Sequence, residues 1–284
     1  MRKGRYPASH AVGRLVASAV LVFLLASCAE DGATPDPAAI PAPSSSASGL
    51  SLVAIGDSIP FNDPGDCPDC TGFVDRYGDA VAAATGQTVS VRNLSQHTGL
   101  TLPELIDGLD RLHGPLLAAA DVIVVGIAHN SSELASDTPC GAPLDENQMP
   151  DWSTVDAGCA ASAAAKYRPQ YEQLFSRVLA LRNGQPTILR TINRYSDWIG
   201  WAEAGLTPEQ ERKTTVILDA WNEMLCSAAE KHGFACVDIY HAFNGPDGSK
   251  ASGDLLAEDY THPSDKGNGL IAELLEARGF APLA

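Results

Sequence analysis

Apolar residues gather into short, nearly continuous runs at Leu50 to Ile55, Val89 to Val91, Val122 to Ile127, Thr187 to Ile192 and Phe234 to Ile239. Runs of this length predict strands buried on both faces. Between them, apolar residues recur at helical spacing over Phe73 to Thr85, Leu102 to Leu109, Gln170 to Leu181, Pro208 to His232 and Lys266 to Ala277. Strands alternating with helices predict a mostly parallel sheet of about five strands covered on both sides, an α/β chain with a three-layer α/β/α sandwich. The stretch 50–284 is long enough for one domain with a full core.

Two segments break this rhythm. After Asn130 a polar stretch carrying Cys140, Trp152 and Cys159 runs for about thirty residues before the next convincing helix, too long for a plain connection unless a disulfide or a ligand role ties it down. Asn193 to Gly205 follows a strand and holds Tyr195, Trp198 and Trp201. Three aromatics in one loop either line a pocket or pack the loop onto the body.

The N-terminus has a different pattern. Arg2, Lys3, Arg5 and Arg14 precede an apolar run from Leu15 to Ala26, which ends in Leu25-Ala26-Ser27-Cys28. That is a signal-peptide pattern, and the run is shorter than the roughly 20 residues needed to span a bilayer. The small residues before the cysteine resemble the lipobox of bacterial lipoproteins, which implies residues 1–27 as a cleaved signal and Cys28 as the lipidated first residue. Ordinary secretory cleavage after Ala26 or Ala29 is the alternative. Residues 28–49 then form an Ala-, Pro- and Ser-rich tether. The expected location is extracytoplasmic, lipid-anchored to a bacterial membrane, with partial release.

Charge narrows the partners. The formal net charge of -16 becomes -20 when residues 1–27, with four basic and no acidic side chains, are removed. Such a body disfavours nucleic acid and anionic bilayers, so attachment to a membrane would rest on the lipid. Beyond Cys28 there are six cysteines, and an even number in an exported chain predicts three disulfides. Neighbour pairing, Cys67 with Cys70, Cys140 with Cys159 and Cys226 with Cys236, is the simplest arrangement. Cys67-Pro-Asp-Cys70 also has the spacing of half a zinc site or a redox motif.

The candidate chemistry lies where the predicted strands end. Open parallel sheets bind ligands beyond the carboxyl ends of their strands. Gly56-Asp57-Ser58 closes the first run; Asn93, His97 and Gly99 follow the second; His129 and Asn130 follow the third; Asp259-Tyr260-Thr261-His262 lies in the loop expected after the fifth. A serine hydroxyl needs an imidazole to take its proton, and a carboxylate to hold that imidazole in the right tautomer. Ser58, His262 and Asp259 supply these groups. Asp57 suits an Asx turn or helix cap that supports Ser58. No Gly-x-Ser-x-Gly elbow is present, which argues against an α/β-hydrolase.

From Leu50 to the C-terminus the chain resembles the SGNH, or GDSL-like, hydrolases. The resemblance rests on Gly56-Asp57-Ser58 after the first strand, Gly99 after the second, Asn130 within Ala128-His129-Asn130-Ser131 after the third, and the final Asp259-x-x-His262. It implies a flavodoxin-like sheet, Ser58, Asp259 and His262 as the catalytic triad, and an oxyanion hole from the Ser58 and Gly99 N–H groups with the Asn130 amide. It departs from the family pattern at Ile59, Ala128 and Ser131, where leucine, glycine and aspartate are usual.

The resemblance implies a carboxylic ester hydrolase acting on a small ester, a lipid or an acylated glycan, with no cofactor and as a monomer. O-acetyl polysaccharide esterase and acyltransferase activities would use the same acyl-enzyme, and a non-catalytic envelope-binding lipoprotein is a different class. A metal held by His97, His129 and Asp259 is a further alternative, but their spacing matches no local metal motif. Non-reducing peptide mapping of the exported protein is expected to find Cys28 carrying lipid, Cys140 joined to Cys159 and no free thiol. Free Cys140 and Cys159 in active protein would overturn that pairing.

Overall fold

The structure, a computed structural model, describes residues 49–97, 99–129 and 152–284. Residues 1–48, with the expected signal segment, Cys28 and nearly all of the expected tether, lie outside the described residues, as do Asn130 and Cys140. In chain order the elements are β1 (Leu50–Gly56), α1 (Ser58–Phe61), α2 (Phe73–Thr85), β2 (Val89–Asn93), α3 (Leu102–Gly108), α4 (Gly114–Ala119), β3 (Val122–Gly126), α5 (Ala157–Arg182), β4 (Ile188–Ile192), α6 (Pro208–Lys231), β5 (Ala235–Val237), α7 (Ile239–Asn244) and α8 (Asp265–Glu276). The five strands form one parallel sheet in the order β2-β1-β3-β4-β5. The order reverses between β1 and β3, and that switch point is where such sheets open a crevice.

Strand burial follows position in the sheet. β3 lies at the centre and every one of its residues is buried, whereas edge strand β2 alternates between half-buried and exposed positions. Alternate side chains of β1 enter different cores. Leu52 and Ala54 pack with Phe73, Tyr77, Ile271 and Leu275 of α2 and α8. Val53 and Ile55 pack with Leu102 and Leu105 of α3, Leu174 and Phe175 of α5, and Leu225 of α6. A Cβ on Gly78 would lie 2.5 Å from a Val91 methyl, so the absence of a side chain there lets α2 sit close on β2.

Three boundaries differ from the sequence expectations. α5 begins at Ala157 rather than Gln170, so the segment after Asn130 is shorter than expected and Cys159 belongs to a helix. Asp156 caps that helix by accepting from the Cys159 N–H at 2.8 Å, and the following residues are alanine-rich. The cap and the helix-forming alanines outweigh Pro169, which lies inside the helix. β5 stops at Val237, because Asp238 accepts from the His241 N–H and starts α7. A π-helical turn, Leu109–His113, and α4 continue beyond the expected end of α3.

Cys67–Cys70 and Cys226–Cys236 are disulfides; the second ties α6 to β5. Cys159 is also disulfide-bonded, to a partner outside the described residues. No described helix is long and apolar enough to cross a membrane. Among the glycines, Gly56 has the least room at the site: a Cβ there would lie 2.0 Å from the Gly126 carbonyl oxygen. Gly56→Ala is expected to destabilise the fold by about 2 kcal/mol or more, because backbone must move. Urea unfolding checks this, and an unchanged midpoint would contradict it.

Candidate active site

The carboxylate of Asp57 organises the exit of β1. The residue is 1% exposed, and its N–H donates to the Gly126 carbonyl at 2.9 Å. Its side chain accepts three backbone N–H groups: Ile59 at 3.1 Å, capping α1, and Ala128 and His129 at 3.0 Å each, in the segment leaving β3. Burial pushes the Asp57 carboxyl above the usual carboxylate range, while the three N–H donors and the nearby Arg194 oppose the shift. Ser58 follows as the first residue of α1 and is 8% exposed. Its Oγ makes no hydrogen bond to another described residue.

The loop after β2 is drawn to the same place. Asn93 donates to the Pro60 carbonyl at 2.5 Å, and the Gln96 N–H donates to the Gly56 carbonyl at 3.0 Å. Gly99 has a φ of 73°, which suits a residue without a side chain. Its N–H donates to the His97 carbonyl at 3.0 Å. The donor expected at the oxyanion is thus already engaged in a tight turn.

Asp259 and His262 are built into one turn of backbone. Asp259 Oδ1 accepts the Thr261 and His262 N–H groups at 3.0 Å each, while Oδ2 lies 2.5 Å from His262 Nδ1. The turn is fixed from outside by the Ala257 N–H on the His262 carbonyl at 2.8 Å and by the Tyr195 hydroxyl on the Thr261 carbonyl at 2.6 Å. Burial raises the Asp259 carboxyl pKa, but its bonds from the His262 ring and the two backbone N–H groups outweigh burial and hold it below the usual range. His262 Nε2 is buried with no hydrogen-bond partner among the described residues. A ring anchored at Nδ1 with Nε2 free is the form a general base needs.

This turn does not directly follow β5, as the sequence suggested, because α7 and a 3-10 turn at Gly253–Leu255 intervene. The pattern Asp-x-x-His is also not unique. Asp238 and His241 repeat it, with Nδ1 2.6 Å from the carboxylate. That pair starts α7 beyond β5, three strands from β1, beside a cavity of about 440 Å³. Spacing alone does not distinguish the two pairs; His262 differs in lying against Asp66 and His97.

Other sequence candidates separate. His97 lies near His262, with ring centroids 5.9 Å apart, and its Nε2 is 3.0 Å from Asp66 Oδ2. His129 instead packs against Tyr195 at 4.5 Å, and burial holds its pKa well below the usual histidine value. Among the described residues, those that bring ligand-type atoms within 4.8 Å of one another are Asp66, His97 and His262, not the His97, His129 and Asp259 group considered above. In the aromatic loop, Tyr195 is fully buried and stacks on Phe243 at 4.5 Å, and Trp198 packs edge-on against Trp152. These two rings hold the loop to the body. Asp66 gave no local signal in the sequence, because only folding brings its loop to His262. Asn130 lies outside the described residues.

A family model for the GDSL-like lipase/acylhydrolase family matches residues 54–270. The chain belongs to that family and is a carboxylic ester hydrolase of the acyl-enzyme type. Solved structures share the fold at low identity. They include the lipase Lip_vut3 from a goat rumen metagenome, at 20% identity and a TM-score of 0.64, covering 83% of this chain and 100% of that one. Axe2, an acetylxylan esterase from Geobacillus stearothermophilus, is 20% identical with a TM-score of 0.55, covering 82% of this chain and 95% of that one. The comparison with curated proteins returned no match.

Asp57→Asn keeps the shape of the cap but turns an amide donor toward at least one backbone N–H. The expected result is a loss of about 2–3 kcal/mol of stability, on the scale of hydrogen bonds to charged groups, with lower turnover in the fraction that stays folded. Denaturant titration alongside ester assays checks this, and an unaffected variant would show that the clamp is dispensable.

Proposed function

We propose that Ser58, His262 and Asp259 carry out ester hydrolysis, with the Ser58 and Gly99 N–H groups and the Asn130 amide as oxyanion donors. The observation that carries this reading is the His262 ring, held by Asp259 at Nδ1 at 2.5 Å, with a buried Nε2 that has no partner among the described residues. Ser58 Oγ attacks the carbonyl carbon while His262 Nε2 takes the hydroxyl proton. The tetrahedral oxyanion then collapses, the ester C–O bond breaks, and the alcohol leaves with the proton from His262. Water adds to the acyl-enzyme by the same route and releases the acid and free Ser58. Gly99 takes part by sharing its N–H between His97 and the oxyanion, or after its turn opens.

The substrate is an uncharged carboxylic ester of the lipase or esterase type. An acylated glycan is a second reading. It is favoured by Phe61 and Tyr260, large aromatics that stay 36% and 50% exposed three residues after Ser58 and two before His262, where they offer stacking faces to a sugar. The extracytoplasmic setting inferred from residues 1–28 is supported by the disulfides Cys67–Cys70 and Cys226–Cys236; the lipid anchor rests on the Leu25-to-Cys28 pattern alone.

A fluorophosphonate probe is expected to label wild-type protein at Ser58 and to leave Ser58→Ala unlabelled. With a p-nitrophenyl short-chain ester, Ser58→Ala and His262→Ala should fall to near background, and Asn130→Ala by about a hundredfold. As pH falls, turnover should drop while the Asp259 carboxyl, held below its usual range, is still ionised, as a mechanism that needs an unprotonated base requires. By the same sign, the stability contributed by Asp259 is fully present above the unfolded carboxylate pKa of about 3.9 and is lost as pH falls through the lower folded value. Folded His262→Ala with near-wild-type turnover would overturn the mechanism.

A further inference from the structure

One nitrogen of His262 faces two carboxylates. Nδ1 lies 2.5 Å from Asp259 Oδ2 and 3.2 Å from Asp66 Oδ2. Asp66 comes from a different loop and is better shielded, its side chain being 20% exposed against 35% for Asp259. Its carboxylate also meets His97 Nε2 at 3.0 Å, and Asp63 stands 3.7 Å from the other His97 nitrogen.

The Asp66 loop is held rather than loose. The Asp66 and Cys67 N–H groups both donate to the Asp63 carbonyl, and Cys67–Cys70 closes the next turn. The loop is then stitched to α8, the helix that follows the His262 turn. The Thr71 N–H donates to Asp265 at 3.2 Å, Arg76 pairs with the same carboxylate, and the Asn268 amide meets Asn62 at 3.1 Å. Both carboxylates therefore reach the ring from backbone anchored to the same helix.

Resting on the hydrolase reading above, we propose that Asp66 is a second positioning residue for His262, an ion-pair partner beside the Nδ1 that is hydrogen-bonded to Asp259, holding the ring when water competes for the more exposed carboxylate. The other groups facing His262 do not supply this function. His97 contributes a ring beside it, and His129, after β3, is coupled to it electrostatically but lies in an environment that opposes protonation. Asp197, after β4, is also coupled to His262, but is buried and paired with Arg194 at 3.4 Å. Asp66 and Asp259 are the two carboxylates that touch the ring. When the Ser58 proton reaches Nε2, both stabilise the imidazolium.

The test uses the full chain and p-nitrophenyl acetate, with Asp66→Asn, Asp259→Asn, the double variant and His262→Ala, each checked for folding by circular dichroism. Asp66→Asn alone is expected to lower kcat by about twofold to fivefold with little change in KM, and to move the acidic limb of the kcat/KM profile to lower pH, since a negative charge beside the base is gone. In the Asp259→Asn background the same exchange should cost about tenfold or more, because the remaining carboxylate is then removed from a coupled pair. Asp66→Glu, which keeps the charge, should return the limb toward its wild-type position. Equal costs in the two backgrounds with an unmoved limb would overturn the proposal. If Asp66→Asn fails to fold, Asp66→Ser and Asp66→Ala, checked for folding, decide: a limb moved to lower pH supports the role, an unmoved one refutes it. Retained turnover in His262→Ala would instead refute the underlying hydrolase reading.

Discussion

A single buried carboxylate joins the two strand exits between which the crevice opens. Asp57 leaves β1 at the switch point, and its oxygens take the cap N–H of the Ser58 helix together with two N–H groups of the chain leaving β3. Removing a carboxylate from water is costly, and it is tolerated here because three donors are fixed around the charge before any ligand arrives. The same bonds set the separation between Ser58 and the segment that leads to Asn130. Gly56 and Gly126 approach closely beneath them, so the clamp, the close approach and the sheet register form one constraint.

Two aspartates of one site are thereby given opposite environments. Burial pushes Asp57 up, while charge-assisted bonds pull the half-exposed Asp259 down. The first is part of the backbone clamp; the second remains an ionised partner for the His262 imidazole. Asp66 and Asp259 make the surroundings of that imidazole negative. An ester carrying its own negative charge next to the scissile bond would meet repulsion there.

Much of the fold was legible because hydrophobic run length reports two-sided burial directly. The five strands lie where the runs lie, and α2 has the bounds that its spacing implied. Capping chemistry moved other boundaries. Asp156 and a run of alanines extended α5 back past Pro169, and Asp238 ended β5 early, neither being an apolar signal. At the candidate site, the Asp57 cap and the Asp259–His262 bond follow from residue type and spacing along the chain. The contact of Asp66 with His262 does not, since it depends on the way a disulfide loop and α8 are tied together. The Asp238 and His241 pair marks the same limit: local spacing produces the bond in both pairs and does not say which belongs to the site.

The position of the His262 turn in the chain has a consequence for synthesis. Ser58 is made early, on the first strand, while Asp259 and His262 lie past the last strand and are held by α8, the final helix. On the proposed roles, a nascent or truncated chain that stops before the Leu256 to Pro263 bridge would hold the nucleophile without its base, and the serine would gain that base only once the carboxyl-terminal helix is in place.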